Sequence, residues 1–337
     1  MQPFGLGTFD AGDGRGFPGL VVGDRVLDLR PALGEGVTTR DLLGDWDAAL
    51  ERLRALAAGP LDGAVPLEDL RPLPPVQPPG QIFLAGANYH NHLRQIVFTM
   101  ARNVPGETRP DHVLRAEAEE TVRRQAEGGV PFVFSVQPSA LCGARDDIVL
   151  WGPGVEHDWE LELTVVIGRH ARDVPEERAM EYVAGYTIGN DISTRDVMNR
   201  PGFPMTDFLM TKGRPTFKPL GPYIVPREFV PDPLALRVTL RVNGEVMQDE
   251  GVDDIIYGVE QLVSYASTVT DLWPGDVLLT GSPAGNAGHH GNRWLRPGDV
   301  IEGEITGLGM QRNRCVADPR EADRVAASAR SAPTPHP

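Results

Sequence analysis

The chain predicts an α+β protein dominated by strands. Three observations carry that expectation. Thirty-eight glycines and 31 prolines in 337 residues call for many turns, which a helical bundle does not need. The longest informative apolar run, Trp159 to Ile167, alternates with period two, as a strand does. Only a few segments carry the 3.6-residue period of a helix. A hydrophobic fraction of 41% with 23% charged residues supports a substantial core, as one large domain or a small one followed by a large one.

Residues 1–78 are expected to form a small N-terminal α/β domain. Gly19 to Leu29 predicts two short strands around the Gly23-Asp24 turn. Thr39 to Ala58 predicts a helix with Leu42, Leu43, Trp46, Leu50, Leu53 and Leu56 on one side, capped by Thr39 or Asp41 and stopped at Gly59-Pro60. The Pro-rich stretch Arg71 to Gly80 reads as a stiff linker and marks the boundary. Residues 79–317 form the larger domain. Ile82 to Gly86 is a buried strand, followed by Asn88-Tyr89-His90-Asn91-His92-Leu93-Arg94-Gln95. Residues 96–129 then stand out: from Arg109 to Gly128 they predict a charged helix, either a solvated outer element or a lid. Val130 to Val136 and Asp147 to Leu150 predict strands, Pro175 to Ala184 a helix, and Tyr186 to Asp191 a strand. Leu236 to Gln248 predicts a hairpin turning at Asn243-Gly244. Tyr257 to Val269 predicts a helix with Val259, Leu262, Val263 and Ala266 inward. Pro274-Gly275-Asp276 and Pro297-Gly298-Asp299 each launch a strand. Residues 318–337 predict a disordered tail.

A formal charge of −15 argues against nucleic acid and anionic membrane as partners, since both require a basic surface. No apolar run approaches the ~18 residues of a membrane span. Cys142 and Cys315 show no zinc or redox spacing. A cytoplasmic protein with free thiols is expected.

In the Trp159 strand, Glu160, Glu162, Thr164 and Val166 share one face, and Leu161, Leu163, Val165 and Ile167 the other. The two carboxylates stand about 7 Å apart at the backbone. Like charges so close repel unless a cation lies between them. A hard divalent ion held by carboxylate oxygens answers that need; a solvent-exposed charged face is the alternative. Asp191, ending its strand at a turn, is the natural third ligand. Arg195 and Asp196 follow, in a segment that equally suits a helix start capped by Ser193 or Thr194 with an ion pair.

These segments resemble the fumarylacetoacetate hydrolase family. Asp158-Trp159-Glu160-Leu161-Glu162-Leu163 with Val166-Ile167-Gly168-Arg169 is similar to that family's D-x-E-x-E-L…V-I-G-R. Ala184-Gly185-Tyr186-Thr187 with Asn190-Asp191-Ile192-Ser193-Thr194-Arg195-Asp196 is similar to A-G-Y-T…N-D-x-S-x-R-D. Thr211-Lys212-Gly213, Pro219-Leu220-Gly221-Pro222, Val242-Asn243-Gly244-Glu245, Gln248, Pro274-Gly275-Asp276 and Thr280-Gly281-Ser282-Pro283-Ala284-Gly285 follow in order, covering about Ile82 to Ala317. The resemblance implies a mixed, coiled β-sheet roll with flanking helices behind the small N-terminal domain, and a homodimer. It implies a divalent metal at Glu160, Glu162 and Asp191, with Mg²⁺ expected and Mn²⁺ or Ca²⁺ as alternatives. It implies 2-oxo acid substrates, Lys212 at the developing enolate oxygen, Arg195 in the catalytic set, His92 activating water, and Tyr89, Thr280, Gly281 and Ser282 around the substrate.

The chain departs from the pattern at four places. Gln95 stands where many hydrolytic members carry the Glu of a His–Glu dyad. Val136 stands in place of a Lys, Met198 in place of a Gln, and the 96–129 segment is longer than usual. Glu117, Glu119 or Glu120 could supply the missing carboxylate, and His90 could be the working histidine. Three readings follow: a hydrolase cleaving a C–C bond of an acylpyruvate-like 2,4-dioxo acid; a lyase or isomerase on the same metal scaffold, such as a decarboxylase or hydratase; and a non-catalytic metal-binding protein. His289-His290 reads as a flexible surface pair.

Overall fold

Turn-rich sequence and short alternating runs give three larger sheets packed in layers and one two-stranded ribbon among the described residues. The structure, a computed structural model, describes residues 2–200, 202 and 205–320. The central sheet runs in the order Val133–Val136, Ile82–Ala85, Val277–Leu279, Leu161–Ile167, Val183–Asn190, Lys218–Leu220, Leu141–Gly143. It is mixed: Ile82–Ala85 lies parallel to Val277–Leu279, and Lys218–Leu220 parallel to Leu141–Gly143, while the other neighbours are antiparallel.

The strand Leu161–Ile167 sits in the middle and is buried at every position. Leu161, Leu163, Val165 and Ile167 enter one core with Val238, Leu240, Leu262 and Val263. Val166 enters a second core with Leu6, Leu20, Leu43 and Leu53. Both faces are therefore interior, and the reading of Glu160 and Glu162 as a solvent-exposed pair falls away.

A second sheet, Glu245–Gly251, Arg237–Val242, Val300–Ile305, Gly309–Ala317 and Ile148–Leu150, covers the first core. The layers approach closely at Gly303, where a Cβ would fall 2.6 Å from Leu161 Cδ1. The expected hairpin is present, with Asn243 at φ 53° and Gly244 at φ 82°, the positive pair that a type I′ turn requires. The helix Val259–Val269 buries Val259, Leu262, Val263 and Ala266 as expected. The first 72 residues build an antiparallel sheet, Val65–Pro66, Arg25–Asp28, Gly16–Val22, Gly5–Asp10 and Arg71–Pro72. Its core continues without a break into Ile82, Leu84, Val277 and Leu279 of the central sheet.

Several expectations need correction. The helix over 39–58 is two helices, Thr39–Gly44 and Trp46–Ala57, broken at Asp45 (φ −132°, ψ 66°). The cap is Thr38, which exchanges hydrogen bonds with Asp41 in a capping box. The segment 175–184 forms a 3₁₀ run, Glu176–Tyr182, because Val183 and Ala184 are already claimed by strand pairing. The strand at the carboxylates begins at Leu161, since His157–Asp158 pairs separately with Ser193–Thr194. The segment 96–129 holds parts of two helices, His90–Arg102 and Asp111–Gly128. They are joined by the Arg94–Glu119 ion pair and by Arg115 stacked 4.3 Å from the Phe98 ring centre. Residues 321–337, most of the expected tail, lie outside the described residues.

Leu163 is fully buried in the central strand, and its carbonyl accepts from both the backbone and the hydroxyl of Thr280. Leu163→Ala should cost about 2–5 kcal/mol, read as a lower urea midpoint at unchanged m-value.

Candidate active site

Strand register brings the acidic residues together. Leu161 lies opposite Asn190, so the residues one step beyond, Glu160 and Asp191, face each other. Asp191 N donates to Glu160 O at 2.8 Å, and Glu160 N donates to Asn190 Oδ1 at 3.1 Å. Glu162 returns to the same face two residues on. Carboxylate oxygens of Glu160, Glu162 and Asp191 lie within 4.8 Å of one another, and the three residues are 6%, 2% and 2% exposed.

Cations brace this cluster. Lys212, closing the short helix Phe208–Lys212, donates from Nζ to Glu160 Oε2 at 2.8 Å and to Asp191 Oδ2. Arg195 donates to Asp158 Oδ2 at 2.9 Å and to Glu160 Oε1 at 2.7 Å. Lys218 Nζ lies 2.8 Å from Asp191 Oδ1. Its three protons, however, are directed at the carbonyls of Ile192, Lys212 and Phe217, at 3.2, 2.7 and 3.0 Å. The Asp191 oxygen is thus faced by a charge but receives no directed hydrogen bond. Glu162 Oε2 accepts from Gly281 N at 2.7 Å. Gly281 makes that contact at φ 97°, with Asn88 Cβ 2.8 Å from where its own Cβ would stand, so a side chain is excluded.

The electrostatics follow from burial and neighbours. Burial drives the Glu162 pKa well above the usual range, and the charges of Asp191 and Glu160 push the same way. Burial acts on Glu160 too, but Arg195 and Lys212 outweigh it and hold that group well below the ordinary value. Burial opposes the charge on Lys212, yet Asp191 and Glu160 keep its pKa raised. Burial lowers that of Lys218.

A divalent cation fits these residues. The donors are hard oxygens, one Asp191 oxygen lacks a hydrogen bond, and Glu162 waits for a positive charge before it can ionise. Two more of the buried polar atoms without a hydrogen-bond partner among the described residues belong to this site: Tyr89 Oη and His92 Nδ1. Buried groups of that kind are uncommon in a finished interior. His92 stands in the first turn of His90–Arg102, with Nε2 3.4 Å from Glu160 Oε1. Beneath it, Asn88 Nδ2 donates to the carbonyls of Tyr257 and Thr280 at 3.0 and 2.8 Å, fixing the loop that carries Tyr89 and His92. A cleft of about 410 Å³ opens over His92 and Arg195, between that helix and residues 286–294.

Other expected residues are placed as follows. Thr280 Oγ1 donates to Leu163 O, Gly281 N to Glu162, and Ser282 Oγ to Pro283 O while accepting from Gln248. Their polar groups are turned to the protein. Glu117, Glu119 and Glu120 are exposed and paired with Arg109, Arg94 and Arg123, so none of them reaches His92. His90 lies within electrostatic reach of Glu119, and its carboxylate neighbour there is on the outer helix. His289 and His290 are surface residues held in place: His289 Nδ1 accepts from Gly285 N, and His290 Nε2 is 2.9 Å from Met247 O. Gln95 lines the cleft.

Lys218 and Asp158 were not singled out by the sequence reading. A signal for the first was available. Of 32 basic residues only Lys212 and Lys218 are lysines, and both are buried here.

The Fumarylacetoacetate (FAA) hydrolase C-terminal profile matches residues 81–316. The chain belongs to the fumarylacetoacetate hydrolase family. It is 34% identical to a maleylpyruvate hydrolase of Aquipseudomonas alcaligenes over 86% of this chain and 93% of the relative. It is equally 34% identical to a mitochondrial oxaloacetate tautomerase of Bos taurus over 87% and 85%. Among solved structures, the maleylpyruvate hydrolase of Sphingobium sp. SYK-6, in complex with manganese(II) and pyruvate, superposes with TM-score 0.69 at 26% identity over 93% of this chain and 99% of that one. Family members of this fold are enzymes, hydrolases and tautomerases among them, and a divalent metal site is supported by the acidic triad and the manganese of that structure. No helix among the described residues is long and apolar enough to cross a membrane.

Two outcomes test the centre. Glu160→Gln and Asp191→Asn should each weaken Mn²⁺ binding by more than the roughly 10–100-fold typical of outer-shell partners, measured by calorimetry, with the far-ultraviolet dichroism unchanged. The raised pKa of Glu162 sets a pH dependence. Without metal, the folded chain holds a proton on Glu162 that the unfolded chain releases at ordinary carboxylate pH, so this burial costs more stability as pH rises above that value. Metal binding requires the ionised form and removes the cost. The gain in Tm on adding Mn²⁺ should therefore grow between pH 5 and pH 8, and Glu162→Gln should flatten the trend.

Proposed function

We propose that the protein is a divalent-metal-dependent hydrolase that cleaves the C–C bond of an acylpyruvate-like 2,4-dioxo acid by way of an enolate. The observation that carries this reading is the buried triad Glu160, Glu162 and Asp191, braced by Lys212 and Arg195, with the unpartnered Tyr89 Oη and His92 Nδ1 beside it. When bound, a divalent ion supplies Lewis-acid polarisation of neighbouring carboxylate and keto oxygens. Lys212 donates to the negative charge that develops on the 2-oxo oxygen. Arg195 keeps Glu160 ionised and fixed. His92 takes the proton from water as it adds to the distal carbonyl, and returns it as the C–C bond breaks. Tyr89, Thr280, Gly281 and Ser282 shape the chamber. Mg²⁺ as resident ion, a cytoplasmic location and a homodimer belong to the same proposal.

One observation favours a second reading. The only carboxylate contacting His92 is the triad member Glu160, and the dyad position holds Gln95, so a water-activating pair is absent among the described residues. Keto–enol tautomerisation of a 2-oxo acid, or its decarboxylation, uses the same triad and Lys212 without that pair.

The deciding experiment is parallel turnover of acetylpyruvate and oxaloacetate with Mg²⁺ or Mn²⁺, and with EDTA, reading products. EDTA-sensitive acetate and pyruvate establish the hydrolase; enol–keto conversion or CO₂ release alone establishes the second reading; undiminished turnover in EDTA overturns both. If the hydrolase holds, Gln95→Glu should raise acylpyruvate cleavage roughly 10- to 100-fold, up to the lower limit of the ~10²–10⁴-fold typical of a complete acid–base group. Lys212→Met should lower kcat about 10²–10³-fold while leaving metal affinity measurable.

A further inference from the structure

We propose that the cleft selects a 2-oxo acid whose far end is uncharged, so that the substrate is a monocarboxylate with a neutral acyl chain. This rests on the 2-oxo acid reading above and narrows it. With the acid head at the triad, the remainder of the molecule extends into the cleft over His92 and Arg195. The walls there are apolar at Ile96, Met100 and Trp294, and neutral polar at Gln95, Asn103 and Asn286. Among the described residues Arg195 is the only guanidinium or ammonium lining the cleft. It is committed to Asp158 and Glu160, at the head of the site rather than its far end.

The surrounding cations are also engaged. Arg94 is paired with Glu119 and Asn91. Arg296 directs its guanidinium to the carbonyls of Val155 and Leu295, at 2.6 and 3.1 Å. His289 Nδ1 accepts from Gly285 N–H at 3.1 Å, so that nitrogen carries no proton and the ring no charge. The wall instead contributes an anion, Glu156, with Asp196 accepting from its backbone N–H at 3.3 Å. A carboxylate brought into such a cleft loses hydration, finds no guanidinium or ammonium in the lining without a partner already, and meets the like charge of Glu156. A neutral acyl chain meets surfaces that match it. The relatives above are named for maleylpyruvate and oxaloacetate, which both carry a second carboxylate; on this proposal the substrate of this chain lacks one.

The test is calorimetric binding to the full, Mn²⁺-loaded protein of pyruvate, 2-oxohexanoate and 2-oxoadipate. The last two have the same length and differ in a terminal methyl against a terminal carboxylate. At least tenfold tighter binding of 2-oxohexanoate is expected. Glu156→Gln should narrow the gap several-fold, and Gln95→Arg should close or invert it. Equal or tighter binding of 2-oxoadipate by the unaltered protein overturns the proposal. So does a gap that neither variant moves, since the discrimination would then lie outside the cleft. If Mn²⁺ binds but none of the three acids does, including pyruvate, the 2-oxo acid reading fails as a whole and the proposal with it.

Discussion

The structure is organised around the need to keep four carboxylates together inside a protein. Asp158, Glu160, Glu162 and Asp191 are all buried, and the cations that face them, Lys212, Lys218 and Arg195, leave negative charge in excess. Removing ions from water is costly, and only close, well-directed pairing offsets it. Burial and the charges of Asp191 and Glu160 favour a proton on Glu162, which would balance the cluster when no metal is bound. A divalent ion would let Glu162 ionise and still leave the site net positive, which is the sign an anionic substrate requires. One cluster thus balances its own burial and prepares its ligand's.

Such a cluster needs a backbone that cannot shift, and the central strand provides it. Leu161 to Ile167 is paired on both sides, with Val183–Asn190 and with Val277–Leu279. Each neighbour also delivers part of the site. The first ends in Asn190 and Asp191, and the second runs into Thr280 and Gly281, whose N–H holds Glu162. The apolar row on the opposite side of the strand is locked under the second sheet at Gly303. A slip of one residue in either pairing would exchange carboxylates for leucines at the site and leucines for carboxylates in the core. Packing and chemistry therefore enforce the same register.

That double use explains what the sequence revealed. Alternation alone put Glu160 and Glu162 on one face and Leu161 and Leu163 on the other, and the turn after Asn190 pointed to Asp191. The Asn243-Gly244 hairpin and the helix Val259–Val269 were legible because each has a local signal, positive-φ residues in one case and helical periodicity in the other. What was missed has no local signal. The strand Gly309–Ala317 turns Gln311, Asn313 and Cys315 inward, so its buried row is largely polar and shows no hydrophobic alternation. The amide N–H groups of Gln311 and Asn313 donate to distant carbonyls, those of Ile188 and Gly143 among them. The helix at His90 starts without a side-chain cap on Tyr89, and the 3₁₀ run at Glu176 is set by where the next strand begins. The contact of His92 with Glu160 depends on how a helix docks across the sheet, which no spacing in the chain encodes.

The choice of lysine at the centre has a physical reason. Elsewhere this chain uses arginine for every basic position, so the two lysines are not surface charges of convenience. Lys218 fills a pocket of three carbonyls with the three donors of an ammonium, and a five-donor guanidinium would leave protons buried and unpaired there. Lys212 lies between Glu160 and Asp191, oxygens that a divalent ion would also claim. A planar fork held by two carboxylates is difficult to displace. A compact ammonium on a flexible four-carbon stem is easier to part from an Asp191 oxygen, while Arg195 keeps Glu160 in place. Both lysines thus answer to the oxygens around them, one held by three carbonyls and one set between two carboxylates.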